Sequence, residues 1–494
     1  MRRNYLFRRI TAVALAAAML SLAACSDKGG TTVTGSTESS STTVKPDDTV
    51  SSKDTSASTD TSQTSASSTS TSSADADTDK NNTNGDGNGK GDTNVETVPI
   101  LRDGVRAKIG GFAGCAVTGA EADDPQVWDI ITTHFEAVTL GNELKPDALF
   151  NYSVQKCPGT NETELNGETI TVPKLSYTRA EKILNKILKW NEEHPEKKIK
   201  VRGHVLVWHS QTPEWFFHVD YDKTKDYVTP EEMNKRLEWY IKAVLTHFTG
   251  ENSKYKDLFY GWDVVNEAVS DGTGELRTDA ENPNEKLSED RHGSNSSWWH
   301  IYQSSEFIIN AFKYANKYAP ESLELYYNDY NECTALKKNG IIKLLKEIKE
   351  AEGAPGVGTR LSAMGMQGHY DMSSPDFGSI NGSIKQYAKI TGKVQFTELD
   401  IKASSGYDGS AEKKAEEYEK LTDRYSSILF AITSANAMEG VEVSGITFWG
   451  TVDHYSWLQS RSNVGGGSTA GLPQCPLLFD ENYQPKPCFY IFAE

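Results

Sequence analysis

The sequence predicts an α/β protein, a (β/α)8 TIM barrel preceded by a disordered linker. Three observations predict this fold class. Short apolar segments alternate eight times with amphipathic helical patterns between residue 97 and Glu494. Polar and aromatic side chains follow almost every apolar segment, as they do at the C-terminal face of such a barrel. A long tract nearly free of aromatic and large aliphatic residues precedes this region.

The first 25 residues have the pattern of a bacterial export signal. Arginines precede an apolar stretch that is too short to span a membrane, and small residues lead to Cys25. The ending Leu22–Cys25 resembles a lipoprotein signal, in which the cysteine is acylated and becomes the mature N-terminus. We therefore expect lipidation at Cys25 and an extracellular or cell-surface protein, lipid-anchored to the bacterial membrane. Ordinary secretion, with Cys25 incidental, is the alternative.

Residues 26–96 are predicted to be a disordered linker. Ser, Thr, Asp, Gly and Asn dominate this tract, which cannot bury enough apolar surface to offset chain entropy. We expect it to hold the folded region, residues 97–494, away from the membrane. No motif supports the alternative interpretation as a binding tail.

Within residues 97–494 the apolar runs and helical patterns alternate along the chain. The predicted strands are Ile109–Val117, Ala137–Leu140, Val201–Val207, Tyr260–Val265, Leu323–Tyr327, Leu361–Met366, Val394–Thr397 and Val443–Phe448. The helical patterns include Tyr177–Asn191, Pro230–Phe248, Trp298–Tyr318, Leu336–Ala351 and Ala411–Ala437. Such alternation predicts a parallel barrel with an outer ring of helices.

Polar or aromatic groups stand at the ends of seven of the eight predicted strands. In chain order these are Asn142, Glu143 and Lys145; His204, Trp208, His209 and Gln211; Asn266 and Glu267; Asn328, Asp329 and Tyr330; Gln367 and His369; Glu398 and Asp400; and Trp449. A barrel brings strand ends together on one face, where active sites of this fold lie. The sequence therefore predicts an active site there.

Two glutamates in this set indicate the chemistry. Glu267 and Glu398 each stand at the end of an apolar run, on the predicted fourth and seventh strands, which face each other across a small barrel. Paired carboxyls about 5–5.5 Å apart cleave glycosidic bonds with retention, one as nucleophile and the other as acid and base. We assign Glu267 as acid/base and Glu398 as nucleophile. Two solvated surface glutamates are the alternative.

Composition restricts the partners. The formal charge of −18 disfavours nucleic acid and anionic surfaces and is compatible with a neutral glycan. The six cysteines have no metal-like spacing. His204, His209 and His369 suggest a metal site, but hydrogen bonding to sugar hydroxyls or to Glu398 is the favoured interpretation, with Asp400 fixing the His369 tautomer. No metal or cofactor is predicted.

Ten tryptophans occur in the sequence. Indole faces stack on pyranose rings, although any single tryptophan is more often a core residue. Trp208 and Trp449, which stand at strand ends among polar groups, are the predicted sugar platforms.

Several motifs in order resemble glycoside hydrolase family 10 endo-β-1,4-xylanases over the whole globular region. The first three are Val201–Pro213, Trp262–Ala268 and Thr397–Asp400, which resemble the family's third-strand, acid/base and nucleophile segments. Further matches are Tyr327–Asn331, Gln367–His369, Trp449–Asp453 with Ser456–Leu458, and Leu478–Asp480 before Lys486-Pro487.

The resemblance implies a retaining endo-1,4-β-xylanase that acts on xylan or arabinoxylan without a cofactor. It implies that substrate is bound by Asn142, Lys145, His204, Trp208, Gln211, Asn266, Tyr330, Gln367, His369, Trp449 and Trp457. Asp400 and His209 are expected to position these residues without contacting the substrate themselves. Gly141 departs from the family, which usually has Glu at this position. That residue normally contacts the sugar one unit beyond the cleavage site, so the resemblance does not predict how tightly this subsite binds. Residues 153–172 look like an insertion, either a cleft wall or a passive hairpin.

Two other functions stay open at this stage. The barrel could cleave a different β-1,4-glycan, or the chain could be a non-catalytic glycan-capture lipoprotein. The expected partners are xylan, the membrane through the N-terminal lipid, and no nucleic acid, and the protein is expected to be a monomer.

Overall fold

The computed structural model describes residues 98–287, 293–460 and 472–494. The predicted export signal, the lipidation site Cys25 and the predicted linker at 26–96 lie outside the described residues. Among those described, no helix is both long and apolar enough to cross a bilayer.

The described residues contain twelve strands and twelve α-helices. The strands are β1 Phe112–Val117, β2 Ala137–Leu140, β3 Thr160–Leu165, β4 Glu168–Pro173, β5 Lys200–Gly203, β6 Val207–Trp208, β7 Phe259–Asn266, β8 Glu324–Asp329, β9 Ala363–Met366, β10 His369–Asp371, β11 Lys393–Lys402 and β12 Glu442–Phe448. The helices are α1 Leu101–Ile109, α2 Gly119–Asp123, α3 Pro125–His134, α4 Pro146–Leu149, α5 Thr178–Glu193, α6 Pro230–Thr249, α7 Ser297–Tyr302, α8 Glu306–Tyr318, α9 Ala335–Glu350, α10 Phe377–Thr391, α11 Ala411–Asn436 and α12 Phe489–Ala493.

Eight of these strands close into a parallel barrel. The order is β1, β2, β5, β7, β8, β9, β11 and β12, and β12 pairs with β1 to complete the ring. Short strands β6 and β10 extend the wall at its C-terminal end by pairing with β7 and β11. The predicted (β/α)8 barrel is therefore confirmed.

Local signals explain where the outer helices begin. Asp124 accepts hydrogen bonds from the N–H groups of Gln126 and Val127, and Pro125 occupies the first turn of α3. Thr229 and Pro230 do the same for α6. An N-cap oxygen satisfies a free helix donor, and proline has no N–H to leave unpaired there.

Several predicted boundaries were wrong. β1 begins at Phe112 rather than Ile109, because Ile109 is the last residue of α1, which Gly110 ends in a left-handed conformation with φ 73°. The predicted helix Trp298–Tyr318 is two helices, since Gln303 adopts φ 48° between α7 and α8.

Two strands also differ in extent. The predicted strand Val201–Val207 is interrupted between β5 and β6, where the His204 ring turns inward onto Asp263. β11 continues to Lys402 because β10 pairs with its second half. Glu398 and Asp400 therefore lie within a strand rather than after it.

The stretch 153–172, which the sequence predicts to be an insertion, forms the antiparallel hairpin β3–β4 together with Pro173. Its turn residue Asn166 donates to Glu238 on α6 over 2.9 Å, and Glu168 pairs with Lys235 on the same helix at 2.7 Å. The hairpin is thus held against the outer helix ring through α6.

A buried ion pair occupies the barrel interior. Arg202 is fully buried, and its Nε donates to Asp263 Oδ2 over 3.0 Å while another guanidinium nitrogen donates to Gln395 over 3.0 Å. The Tyr326 ring lies 3.9 Å from the guanidinium carbon. Because Asp263 also contacts His204, the pair supports the site above it.

We expect Arg202→Met to lower the free energy of unfolding by about 3–5 kcal/mol, because it leaves the carboxylate of Asp263 buried without its counter-ion. Urea unfolding followed by circular dichroism measures the change. Arg106→Met, which removes a largely exposed partner of Glu136, is the matched control and should change stability little. An unchanged unfolding midpoint for Arg202→Met would contradict the proposed importance of this pair.

Candidate active site

The candidate site lies at the C-terminal ends of the barrel strands. Glu267 directly follows β7 and has a left-handed backbone conformation, with φ 56°. Its N–H donates to the carbonyl of Asn328 and its carbonyl accepts from Arg277 Nε over 3.0 Å. Both backbone groups of Glu267 are therefore held, which fixes the direction of the side chain.

Three donors hold the carboxylate of Glu267. Trp208 Nε1 donates to Oε2 over 2.9 Å, and the side-chain amides of Asn266 and Gln367 donate to Oε1 over 3.0 and 2.9 Å. These donors come from three different strand ends. The carboxyl group is therefore held in one position before substrate binds.

Glu398 is nearly fully buried in the middle of β11. Asn328 Nδ2 donates to its Oε1 over 2.8 Å, and His369 Nε2 lies 3.2 Å from its Oε2. Burial by itself would raise the pKa of Glu398, but the hydrogen bonds from His369 and Asn328 and the nearby imidazoles of His204 and His369 lower that pKa below its ordinary value. The group is held as a carboxylate, the form that a nucleophile requires.

His369 contacts two carboxylates at once. Its Nδ1 lies 2.8 Å from Asp400 Oδ1, on the side opposite Glu398, and Trp457 Nε1 donates to the other Asp400 oxygen over 2.7 Å. Burial opposes charging of the ring, but the two carboxylates outweigh it and raise the pKa of His369 to about 10. His369 is therefore a cation near neutral pH.

One hydrogen-bonded chain of amides joins the two glutamates. Asn328 Nδ2, which donates to Glu398, also lies 2.9 Å from Asn266 Oδ1, and Asn266 donates to Glu267. Thr397 Oγ1 donates to Asn328 Oδ1 over 2.6 Å and fixes the amide orientation. The two carboxylates consequently belong to a single polar network rather than to separate surfaces.

Aromatic rings surround this network. The ring centroids of His204 and Trp449 are 5.5 Å apart, and those of His369 and Trp457 are 4.9 Å apart. His204 is fixed by Asp263 Oδ2, 2.9 Å from its Nδ1. Flat apolar faces beside hydrogen-bonding groups suit a carbohydrate.

A polar cluster adjoins Trp208. Lys145 Nζ lies 3.2 Å from Asn142 Oδ1, 3.3 Å from Gln211 Oε1 and 5.2 Å from the Trp208 ring centroid. Gln211 in turn donates to Asp147 over 3.2 Å. The structure therefore brings these predicted substrate-binding residues together on the side of the site next to Trp208.

Tyr330 and His209 lie near Arg277, which holds the carbonyl of Glu267. The Tyr330 hydroxyl bonds to Asp271 and accepts from Arg277 over 3.2 Å, and Lys337 Nζ lies 3.5 Å above its ring. Burial, with the charges of Arg277 and Lys337, lowers the pKa of His209 well below its ordinary value, so its imidazole is neutral. Among the described residues its buried Nδ1 has no hydrogen-bond partner.

Gly141 does not have a conformation that demands glycine. A β-carbon built at this position would lie 3.4 Å from Thr118 Cγ2, which is ordinary contact. The neighbouring Glu143 accepts from the N–H of Gly119 over 2.8 Å and so ties this strand end to the end of β1.

Sequence reasoning missed Arg277 and Asp263 as site residues. Arg277 stands ten positions after Glu267 in a loop without periodicity, so no local pattern singled it out. Asn328 carried a signal, since it follows an apolar run, but it was not among the predicted substrate-binding residues. Among residues 98–287, 293–460 and 472–494, no group of His, Cys, Asp or Glu is arranged to hold a metal.

A sequence model of glycosyl hydrolase family 10 matches residues 101–494. The chain belongs to glycosyl hydrolase family 10. Two similar relatives of this family 10 chain are the bifunctional endo-1,4-β-xylanase XylA of Ruminococcus flavefaciens and endo-1,4-β-xylanase Y of Acetivibrio thermocellus. It is 32% identical to the first over 362 residues, 73% of this chain, and 33% identical to the second over 386 residues, 77% of this chain.

The family 10 chain spans only 31% of the length of each of those two relatives. Among solved structures it resembles the xylohexaose complex of the CBM22-1 and GH10 modules of a Clostridium thermocellum endo-1,4-β-D-xylanase. That likeness has a TM-score of 0.61 and 29% identity and covers 80% of this chain and 67% of the other.

We expect His369→Asn to move the acidic limb of the pH dependence of kcat/KM to higher pH. The substitution removes the cation that lowers the pKa of Glu398, so that pKa should rise and the carboxylate should form only at higher pH. Initial rates from pH 4 to 9 on a chromogenic aryl glycoside measure the limb. His247→Asn removes a histidine paired with Glu181 on the outer helices and should leave the limb unchanged. A limb that stays in place in His369→Asn would refute the electrostatic role.

Proposed function

We propose that the chain is a retaining endo-1,4-β-xylanase, which hydrolyses internal β-1,4-xylosidic bonds of xylan. The observation that carries the proposal is the single polar network that holds the Glu267 and Glu398 carboxyl groups together in a family 10 barrel. The printed names of the relatives support xylan as the polymer.

The proposed first step forms a covalent intermediate. Glu398 attacks the anomeric carbon while the bond from that carbon to the leaving oxygen breaks, and Glu267 gives its proton to that oxygen. Glu398 is suited to attack because His369 and Asn328 keep it ionised. Trp208, Asn266 and Gln367 position the carboxyl of Glu267.

The second step releases the sugar. Glu267, now a carboxylate, takes a proton from water, and the water oxygen replaces Glu398 at the anomeric carbon. Two displacements restore the original anomeric configuration. Proton NMR of the first-formed product tests this: a β-anomer supports the proposal, and an α-anomer rejects the retaining mechanism.

We propose that the remaining predicted residues bind the sugar chain. Asn142, Lys145, Gln211 and His204 present donors and acceptors to hydroxyl groups, while Trp449 and Trp457 pack against sugar rings. A xylose unit has no hydroxymethyl group, so close aromatic packing favours it over glucose on steric grounds. Gly141 offers no side chain with which to contact the sugar one unit beyond the cleavage site.

Initial rates on xylan and carboxymethylcellulose test the substrate. We expect faster release of reducing sugar from xylan. Faster cleavage of carboxymethylcellulose would replace xylan by a β-1,4-glucan, and binding without any sugar release would favour the non-catalytic capture protein.

We also propose that Cys25 is acylated and that the enzyme is a monomer anchored at the cell surface. The support is the pattern of the first 25 residues, with arginines, a short apolar stretch and the Leu22–Cys25 ending. Cys25→Ser should release the activity from the membrane fraction. Activity that stays in the membrane fraction would reject this anchor, and gel filtration of the released enzyme tests the monomer.

A further inference from the structure

A cavity of about 480 Å³ lies in the outer wall of the barrel, lined by residues of α1, α3 and α5 and of the loop before β5. The α3 part of its lining leads into the beginning of β2, and Trp190 and Lys197 precede the beginning of β5. Glu267 and Glu398 lie toward the opposite ends of the strands. The cavity is therefore separate from the candidate active site.

Two tryptophans line the cavity in fixed orientations. Lys186 Nζ lies 4.2 Å from the ring centroid of Trp128 and covers one of its faces. The His194 ring stacks on Trp190 with 3.7 Å between centroids, and Trp190 Nε1 donates to the carbonyl of Lys197 over 3.0 Å. Both indoles are half-buried against the hydrophobic core, and the part of each ring that is not covered by the protein lines the cavity. Fixed aromatic rings bind a ligand with little entropic cost.

The charged side chains of the lining balance one another in number and are not paired with other described residues. Arg102 and Lys197 contribute two cations, and Asp103 and Asp129 contribute two anions. Within the part of the chain that the structure describes, none of these four side chains has a hydrogen-bond or ion-pair partner. An electrically balanced lining in a chain of formal charge −18 suits a neutral polyhydroxylated ligand better than an anionic polymer.

We propose that this cavity, the Trp128–Trp190 groove, binds a second segment of the xylan chain and retains the enzyme on insoluble polysaccharide. The indoles stack against pyranose rings, and the unpaired charged groups bond to sugar hydroxyls. The identity of the ligand as xylan rests on the proposed function. The volume matches a ligand of a few sugar units, since pockets for small ligands occupy about 300–1,000 Å³.

Adsorption to insoluble xylan tests the groove. The parent is the full chain carrying Glu398→Ala and Trp449→Ala, which removes hydrolysis and weakens binding in the cleft. Trp128→Ala and Trp190→Ala added to this parent should each weaken adsorption about tenfold, the loss expected from one stacked sugar. Thr133→Trp, which fills the groove and keeps both indoles, should do the same. Phe430→Ala on α11, an exposed aromatic residue elsewhere, should change nothing.

The outcomes separate this inference from its alternatives. Unchanged adsorption in all three groove variants overturns it, and so does an equal loss in Phe430→Ala. If Thr133→Trp lowers the thermal midpoint without changing adsorption, the groove does not hold polysaccharide and the inference is wrong.

The proposed function is tested independently of the groove. In the otherwise unaltered chain, the groove variants should keep full turnover of an aryl xylobioside, and a loss there would also overturn the inference. If the unaltered chain does not hydrolyse xylan, the proposed function is wrong, and the adsorption series still decides whether the groove binds polysaccharide.

Discussion

Glu398→Ala is expected to reduce turnover of xylan and of aryl xylosides alike, by on the order of 10⁵-fold or more, as loss of a nucleophile does in other covalent enzymes. No covalent intermediate can form without this carboxylate, so a better leaving group cannot compensate. Steady-state rates on both substrate types measure the loss. Glu275→Ala, in the loop after Glu267 and paired there with Lys343, is the control and should retain full activity.

Azide separates a nucleophile from a merely structural residue in this variant. The cavity left by the side chain admits azide, which can attack the anomeric carbon from the same side and displace an activated aryl group once. A xylosyl azide of inverted, α configuration would identify Glu398 as the nucleophile. Rescue that yields the β-azide, or loss of activity accompanied by unfolding, would contradict the assignment.

Glu267→Ala is the second prediction with a large expected effect. Loss of the general acid should slow hydrolysis of xylan by roughly 10²–10⁴-fold. Aryl xylosides whose leaving group needs no proton should form the intermediate at a nearly unchanged rate and then accumulate it. Pre-steady-state release of the aryl group measures this difference as a burst.

Azide again gives a sharp control for Glu267→Ala. Here it attacks the covalent intermediate in place of water, so the product should be the β-azide, opposite to that from Glu398→Ala. Equal losses on xylan and on aryl substrates, without a burst, would show that Glu267 is not the acid/base.

Local patterns were sufficient for the fold, and they singled out two glutamates that the structure places in one polar network. Eight alternations of apolar runs and helical patterns predict the barrel, because each parallel strand needs a helix to return the chain. Glu267 and Glu398 stood out because each ends an apolar run beside another polar residue. The errors fell at boundaries such as Ile109 and Gln303, where one backbone conformation ends a helix.

Other features depend on contacts between segments far apart in sequence. Arg277 holds the Glu267 carbonyl from a loop without a recognisable pattern. Asn328 joins Asn266 to Glu398 across three strands. The lowered pKa of Glu398 arises from its contact with His369, from the nearby imidazole of His204 and from the Asn328 hydrogen bond. Such effects depend on distance and burial, which the order of residues does not contain.

The sequence by itself determined the barrel, and it singled out the pair of glutamates and the aromatic and amide residues as a candidate site, since periodicity and strand-end chemistry are local properties. Only the tertiary structure decided that the two carboxyls share one hydrogen-bonded network, that His369 is charged, and that Trp128 and Trp190 line one cavity. Closure of the barrel creates the first two relations, because it brings distant side chains within hydrogen-bonding distance and removes them from water. Packing of the outer helices creates the third.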